Sequence, residues 1–367
     1  MMASGVRPFE EPDIPACAEL HRKVFGITAD PRVDLPAAYH HYFRSLFLDN
    51  PGRAAGVGPL VCEENGKIIG FLGAIPRPLR FRGRSVLALL TSQFVVDPAS
   101  RSLAGVKLMK ACLAGPQDLT FADESNDPSR GLWERLEGKT ALVHSLHWLA
   151  LTRPALRMLE MTHPPQLLAA AGAGVARLLD SAVGRIPRSP WRRALPSGLQ
   201  ARPLEPLDLL RFWHECQASV IPDHSEATLL WTLDRIRQLK NLHGELHAVT
   251  LWTADGRLAG AYAYHAHPGD VSQVVLFASQ PALDSQVLDH LLASATEAGL
   301  SALTGRVPPR HVHAFSRASC LMSNRPKWTL VHSRDEAIVN AILSGDDALS
   351  AIDGEWFTHF NFRAPLG

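Results

Sequence analysis

Residues 86–138 read VLALLTSQFVVDP (86–98), ASRSLAGVKLMKACLAG (99–115), PQDLTFADESND (116–127) and PSRGLWERLEG (128–138). The first piece is an apolar, β-branched run that stops at Pro98, as suits a strand buried on both faces. The second opens on a basic turn of small residues. It then places Val106, Leu108, Met109, Cys112 and Leu113 at the spacing of a helix facing a core. Residues 119–122 read as a short strand and the fourth piece as a second helix. The first N–H groups of a helix have no internal partner and its dipole is positive there, so the turn after the first strand suits an anion.

The chain around this stretch has 367 residues, enough for two domains of ordinary size. A hydrophobic fraction of 46% against 20% charged residues supports sizeable cores. A formal net charge of +1 argues against nucleic acid as a partner. Five scattered cysteines (Cys17, Cys62, Cys112, Cys216, Cys320) form no CxxC pair and read as buried reduced thiols, which points to the cytoplasm. Residues 1–11 lack the apolar core of a signal peptide. The most apolar long stretch, 167–183, carries Arg177 and Asp180, so no membrane span is expected.

The chain echoes itself. Arg7, Pro8, Glu10 and Asp13 match Arg202, Pro203, Glu205 and Asp208 at a constant offset of 195. The hairpin GKIIG (66–70) matches GRLAG (256–260), each between two apolar runs. The order then continues in parallel, with strand 86–96 answered by 274–278, helix 104–114 by 285–298, and strand 119–122 by 301–305. Two matches in one order with compatible elements predict a duplication. Between the copies, 151–198 is rich in Pro, Arg, Ala and Leu. One helix is predicted from Gln166 to about Val183, bounded by Pro164–Pro165 and Pro187. Its arginines, at 153, 157, 177, 185, 188, 192 and 193, read either as a solvated linker face or as a basic surface for an acidic partner or a membrane. Residues 32–51 read as an aromatic-rich helix, either capping the sheet or walling an acceptor cleft.

The order strand, turn, helix, strand, helix at 86–138 resembles the acyl-CoA-binding half of the GCN5-related N-acetyltransferases (GNATs). The resemblance implies an α/β fold of two GNAT-like units, each a mixed, mostly antiparallel sheet flanked by helices. It implies a donor-binding domain over 1–150, an Arg/Pro-rich helical linker over 151–198 and a degenerate GNAT-like domain over 199–367. It extends to bacterial tandem-unit acyltransferases, some of which acylate peptides, amino acids or sugar amines.

The family's phosphate-gripping turn has the form [QR]-x-x-G-x-[GA]. The match here is Arg101, Ser102, Leu103, Ala104, Gly105, Val106, followed by Lys107. The arginine is in register, but Ala104 and Val106 replace small residues and Gly105 falls between them. Backbone N–H groups must point into one small space. Ala104 is tolerable at negative φ, whereas the branches of Val106 would narrow a pyrophosphate site. The resemblance also implies that Asn126 hydrogen-bonds the pantetheine arm and that backbone groups at Phe94, Val95 and Val96 meet the thioester. The family's thiolate-protonating tyrosine is replaced by Trp133, whose indole N–H is no useful acid and which equally reads as a packing residue.

Aminolysis of a thioester needs a neutral amine and a polarised carbonyl. Asp123 and Glu124, at the end of the second strand, are the candidate bases, although acids after a strand are commonly turn or cap residues. Ser92 and Gln93 stand where some GNATs place a carboxylate. His40, His41, His144, His147, His311, His313 and His359 lie in no ligand-spaced motif, so no metal is expected. The turn QPALDSQVLDHLL after 274–279 lacks glycine and arginine, and DGEWF (353–357), similar to the endings of bacterial tandem GNATs, reads as structure rather than chemistry. The expectation is an N-acyltransferase moving an acyl group from acyl-CoA or an acyl-phosphopantetheine carrier protein to an amine of a peptide, amino acid or amino sugar. The carrier protein would dock on the arginine-rich linker. The alternatives are a catalytically inactive GNAT-like assembly protein and an aminoacyl-tRNA-dependent transferase.

Overall fold

The structure, a computed structural model, describes residues 5–361 except 29–30, 101–102, 163–164, 187–188, 190, 192–193 and 326. In chain order the first elements are β1 (Gly5–Pro8), α1 (Ile14–Phe25), α2 (Leu35–Phe43), β2 (Leu60–Glu64), β3 (Lys67–Phe81), β4 (Arg84–Val96), α3 (Ala104–Leu113), β5 (Leu119–Ser125), α4 (Asp127–Arg135) and β6 (Lys139–Thr140). There follow β7 (Leu146–Leu151), α5 (Pro154–Met161), α6 (Gln166–Arg185), β8 (Leu199–Pro203), α7 (Pro206–Glu215), β9 (Val220–Pro222), α8 (Glu226–Arg237) and α9 (Lys240–His243). The chain ends with β10 (Glu245–Thr253), β11 (Leu258–Ala266), β12 (Ser272–Ser279), α10 (Asp284–Glu297), β13 (Ala302–Arg306), α11 (Val312–Arg317), β14 (Leu321–Asn324), β15 (Trp328–Ser333) and α12 (Glu336–Leu343).

These elements form two units, and the units do not follow the expected division into 1–150, 151–198 and 199–367. The first comprises Met1–Leu142, Ala218–Leu242 and Pro326–Gly367; the second comprises Val143–Gln217 and His243–Arg325. The reason lies in strand pairing. In the first unit the sheet order is β1-β2-β3-β4-β5-β15-β6, with β9 added along β3. In the second it is β8-β10-β11-β12-β13-β7-β14 read in the same direction. Each sheet therefore takes its sixth strand from the other half of the chain. A split at a linker cannot describe that topology, and α5 and α6, expected as a bridge, belong to the second unit.

In the first unit α3 is the crossover that lets β4 and β5 run parallel. They pair only over Ala88↔Leu119, Leu89↔Thr120 and Leu90↔Phe121. Beyond that point β4 continues along β3 and β5 along β15, so the sheet opens into a V. Leu108, Met109 and Cys112 of α3 and Trp133 of α4 pack on one face against Leu72, Ala74 and Leu89. On the other face α2 buries Tyr39, Tyr42 and Phe43, and Phe43 and Phe47 meet Phe71 with ring centroids 5.2 and 5.3 Å apart. The aromatic segment expected at 32–51 thus caps the sheet, as α2 followed by a wider helical turn, Arg44–Leu48.

Close approach requires Gly73. A Cβ there would lie 2.6 Å from the carbonyl oxygen of Ser92 and 2.7 Å from the Phe47 ring. Gly73→Ala is expected to destabilise the protein by about 1–3 kcal/mol, as overpacking does, read as a lower urea midpoint at unchanged slope.

The second unit repeats the layout. β12 and β13 pair in parallel over Ser272↔Leu303 to Val274↔Gly305. Past that point Phe277 packs on Phe315 and His311, at 5.0 and 5.4 Å between centroids, within a core that includes Trp148 and Leu303. The paired sequence echoes keep their places but not their partners. Arg7 pairs with Asp13 at 2.7 Å, whereas Arg202 stacks over Trp252 at 4.9 Å.

Candidate active site

The V between β4 and β5 holds a cavity of about 210 Å³. Strand β4 supplies Thr91, Ser92, Gln93 and Phe94 to its wall, β5 supplies Ala122, Glu124 and Ser125, and the C-terminal segment supplies Glu355, Thr358 and His359. Met109, Asn126, Ser129 and Trp133 line the side toward α3 and α4.

The opening begins at a bulge. Gly73 pairs with Ser92 and Phe71 with Val95, so Gln93 and Phe94 together stand opposite Leu72. Gln93 takes φ +52°, a left-handed conformation that costs a non-glycine residue roughly 1–2 kcal/mol. Its side chain is tied at both ends: Oε1 lies 2.8 Å from His21 Nε2, and Nε2 donates to the Thr358 carbonyl at 3.2 Å. A bulge re-aims the peptide groups it contains, here at the mouth of the V.

Of the expected phosphate turn, Arg101 and Ser102 lie outside the described residues. Leu103 precedes α3 with an exposed side chain and accepts the first helical N–H bond, from Lys107, at 2.9 Å. Ala104 is buried and is not among the positive-φ residues. Gly105 sits where a Cβ would come within 3.3 Å of the Phe94 ring and 3.5 Å of Val96, so glycine lets the helix start approach the splayed strand. Val106 is half-buried and does not line the cavity, and Lys107 is exposed beside it. Phe94 lines the cavity; the Val95 side chain is buried, and Val96 pairs with Gly70.

Asn126 is the N-cap of α4: its Oδ1 accepts the Ser129 N–H at 3.0 Å. One lone pair of the oxygen is thereby used, and the amide NH2 is the donor this side chain can offer a ligand. Asp127, the first residue of α4, accepts from Trp328 Nε1 at 2.7 Å. Trp133 is buried in the core beneath α4 with one edge on the cavity.

The two acids expected as bases are both engaged. Asp123 is buried and its Oδ1 accepts the Glu355 N–H at 2.6 Å. Glu124 accepts from Lys327 Nζ at 2.8 Å and lies 3.4 Å from His359 Nε2. The carboxyl group that sequence reasoning passed over is Glu355 of the DGEWF segment. Its Oε1 accepts the backbone N–H groups of both Asp123 and Glu124, each at 3.0 Å. Neither bond uses Oε2. Burial pushes Glu355 up to about 8, helped by the nearby charges of Asp123 and Glu124 and opposed by the two N–H bonds. Gly354 permits this approach, because a Cβ there would overlap the Asp123 carboxylate. The sequence signal was an acid placed between a glycine and two aromatics, two residues after Asp353, in an otherwise apolar ending.

Behind Glu355 the segment is fixed by a buried cluster. Arg77 donates to Thr232 Oγ1 at 3.0 Å and to the Ile352 carbonyl at 2.9 Å, and lies 3.8 Å from Asp353. His224 Nε2 is 2.8 Å from Asp353 Oδ1 and 3.2 Å from Arg77 Nη2. One ring nitrogen serves only one of these, and the shorter contact makes it a donor to the carboxylate.

A sheet with β4 and β5 parallel and then splayed, a bulge at the opening, and a glycine-bearing helix start beside it decide the architecture. The chain has the fold of the GCN5-related N-acetyltransferases. It is similar to a conserved protein of Enterococcus faecalis V583 described as a probable N-acyltransferase, at 10% identity and TM-score 0.57, over 90% of this chain and 73% of that one. It is similar to a GCN5-related N-acetyltransferase of Anabaena variabilis, at 11% identity and TM-score 0.57, over 89% and 72% of the two chains. A GCN5-related N-acetyltransferase of Kribbella flavida gives 12%, 0.53, 91% and 72%. No family model and no curated protein matches the sequence.

Proposed function

We propose that the protein is an N-acyltransferase that moves an acyl group from a pantetheine thioester to an amine. The observation that carries this reading is Glu355, a carboxyl group of raised pKa held in the mouth of the V by the backbone of 123–124. The arm enters along α3 and α4, with Lys107 and the opening turn of α3 at its phosphates and the Asn126 amide NH2 on its carbonyl groups. A backbone N–H at 93–96 donates to the thioester oxygen as negative charge develops there. The amine nitrogen attacks the carbonyl carbon, the C–S bond breaks, the thiol sulfur leaves with the electron pair, and ionised Glu355 takes the amine proton. Asp123 and Glu124 then place Glu355 rather than act as bases themselves. Trp133 offers no proton, and a thiolate leaves without one.

Acyl-CoA is the donor we assign. The second reading, a carrier-bound donor, rests on the exposed Arg177 and Arg185 on α6, among the exposed Val175, Leu178 and Leu179. Arg153 and Arg157 are not free for it: the first donates to the Thr296 carbonyl at 2.7 Å, and the second pairs with Glu160 at 3.3 Å. Arg188, Arg192 and Arg193 lie outside the described residues.

Thiol release from acyl-CoAs of increasing chain length, with amino acids, amino sugars and peptides as acceptors, tests the reading. No release, together with no calorimetric binding of any acyl-CoA or acyl carrier protein, overturns it. Asn126→Asp is the sharper variant. Aspartate keeps the helix cap but has no N–H to give. The expected result is a several-fold higher KM for acyl-CoA at an unchanged melting temperature, whereas Asn126→Ala also loses about 1 kcal/mol of stability.

A further inference from the structure

We propose that His21, which does not line the cavity, is a positioning residue that sets the carbonyl-binding side of the site through Gln93; this rests on the acyl-transfer reading above. His21 is 2% exposed on α1. Its two ring nitrogens face different partners, Nε2 toward Gln93 Oε1 at 2.8 Å and Nδ1 toward the Tyr39 hydroxyl at 3.0 Å. An amide oxygen can only accept, so Nε2 carries the hydrogen, and Nδ1 must then accept from the tyrosine O–H. Burial lowers the ring's pKa to about 4, which keeps this neutral tautomer across the working range.

With Oε1 pinned, the NH2 of Gln93 has one direction left, toward the Thr358 carbonyl at 3.2 Å. Tyr42 donates to that same carbonyl at 2.6 Å, and the Ser92 and Thr358 hydroxyls lie 2.7 Å apart. The chain Tyr39, His21, Gln93, Thr358 therefore joins the bulge of β4 to the segment that carries Glu355. Were the Gln93 amide to turn over, its NH2 would face the ring and its oxygen would face another carbonyl. The left-handed residue at the bulge would then lose both of its tethers. The peptide groups that follow it would no longer be held toward the thioester, although the cavity itself would keep its walls. The sequence gives no sign of this role, because a histidine on an apolar helix face reads as a core residue.

The test uses three variants whose atoms separate the two ring contacts. The terminal nitrogen of glutamine stands in for Nε2, while asparagine reaches only as far as Nδ1. His21→Leu and His21→Asn are expected to lower kcat at least tenfold, with KM for acyl-CoA within threefold of wild type. His21→Gln is expected to hold kcat within threefold. Amide hydrogen exchange over 93–96 is expected to speed up in the first two and not in the third. Full kcat in His21→Leu overturns the proposal, as does a His21→Gln variant that falls as far as the leucine one. A wild-type protein that releases no thiol from any donor overturns the transferase reading itself, whereas an active wild type with an insensitive His21→Leu overturns this inference alone.

Discussion

Glu355→Gln is expected to lower the rate of acyl transfer by about 100-fold or more while leaving acyl-CoA binding unchanged, since a positioned general base contributes roughly 10²–10⁴. Glutamine has the shape of the protonated acid, and its oxygen can still accept the two N–H groups of Asp123 and Glu124. What disappears is the ability to take a proton. In the wild type the rate should climb as pH rises toward about 8, where Glu355 ionises, and the variant's residual rate should lack that limb. The same group gives a second readout in stability. Its folded pKa lies above the ordinary 4.5, so its contribution is full below that value and is lost as pH rises through about 8. The protein should become less stable across that window, and Glu355→Gln should flatten the slope. An activity loss under fivefold, or an unchanged pH profile, places the base elsewhere.

Arg77→Leu is expected to cost about 3–5 kcal/mol, the range found when one partner of a buried ion pair is removed. Arg77 and Asp353 are both fully buried, so the carboxylate left behind has no water to replace the guanidinium. Thr232 and the Ile352 carbonyl lose their donors at the same stroke. The damage falls on the segment that presents Glu355, so catalysis should fail at temperatures where the rest of the protein is still folded. Arg77→Leu combined with Asp353→Asn should recover part of the loss, because the stranded charge is then gone. Urea unfolding of the wild type and the two variants measures it, and a loss below 1 kcal/mol for the single change would show that His224 alone neutralises Asp353.

Much of the architecture was readable because it rests on local patterns. The run at 86–96, the helix at 104–113 and the hairpin glycines Gly66 and Gly256 follow from periodicity and turn chemistry, and each appears where expected. The duplication followed from the echoes at 7–13 and 202–208. The strand exchange did not, because nothing local distinguishes which sheet Leu146–Leu151 or Trp328–Ser333 will join. The helix starts and the capping asparagine beside the cavity were legible for a similar reason: glycine, asparagine and both helix starts lie within one stretch. Glu355 was not, since it reaches Asp123 across 232 residues of chain. A carboxyl group's role there depends on burial and on two N–H groups that no spacing rule reports. Asp123 and Glu124 look like bases in sequence because they end a strand at the right place. In the fold that same place makes their backbone the cradle for a third acid.

The borrowed sixth strands bear on how the protein is made. A nascent chain that has emerged only to Thr140 lacks the partner that β15 gives to both β5 and β6, and β5 presents an unpaired edge until residue 333 has left the ribosome. Such an edge invites association with other chains. Either half produced alone should therefore aggregate, and the two halves synthesised together in one cell should restore a soluble pair.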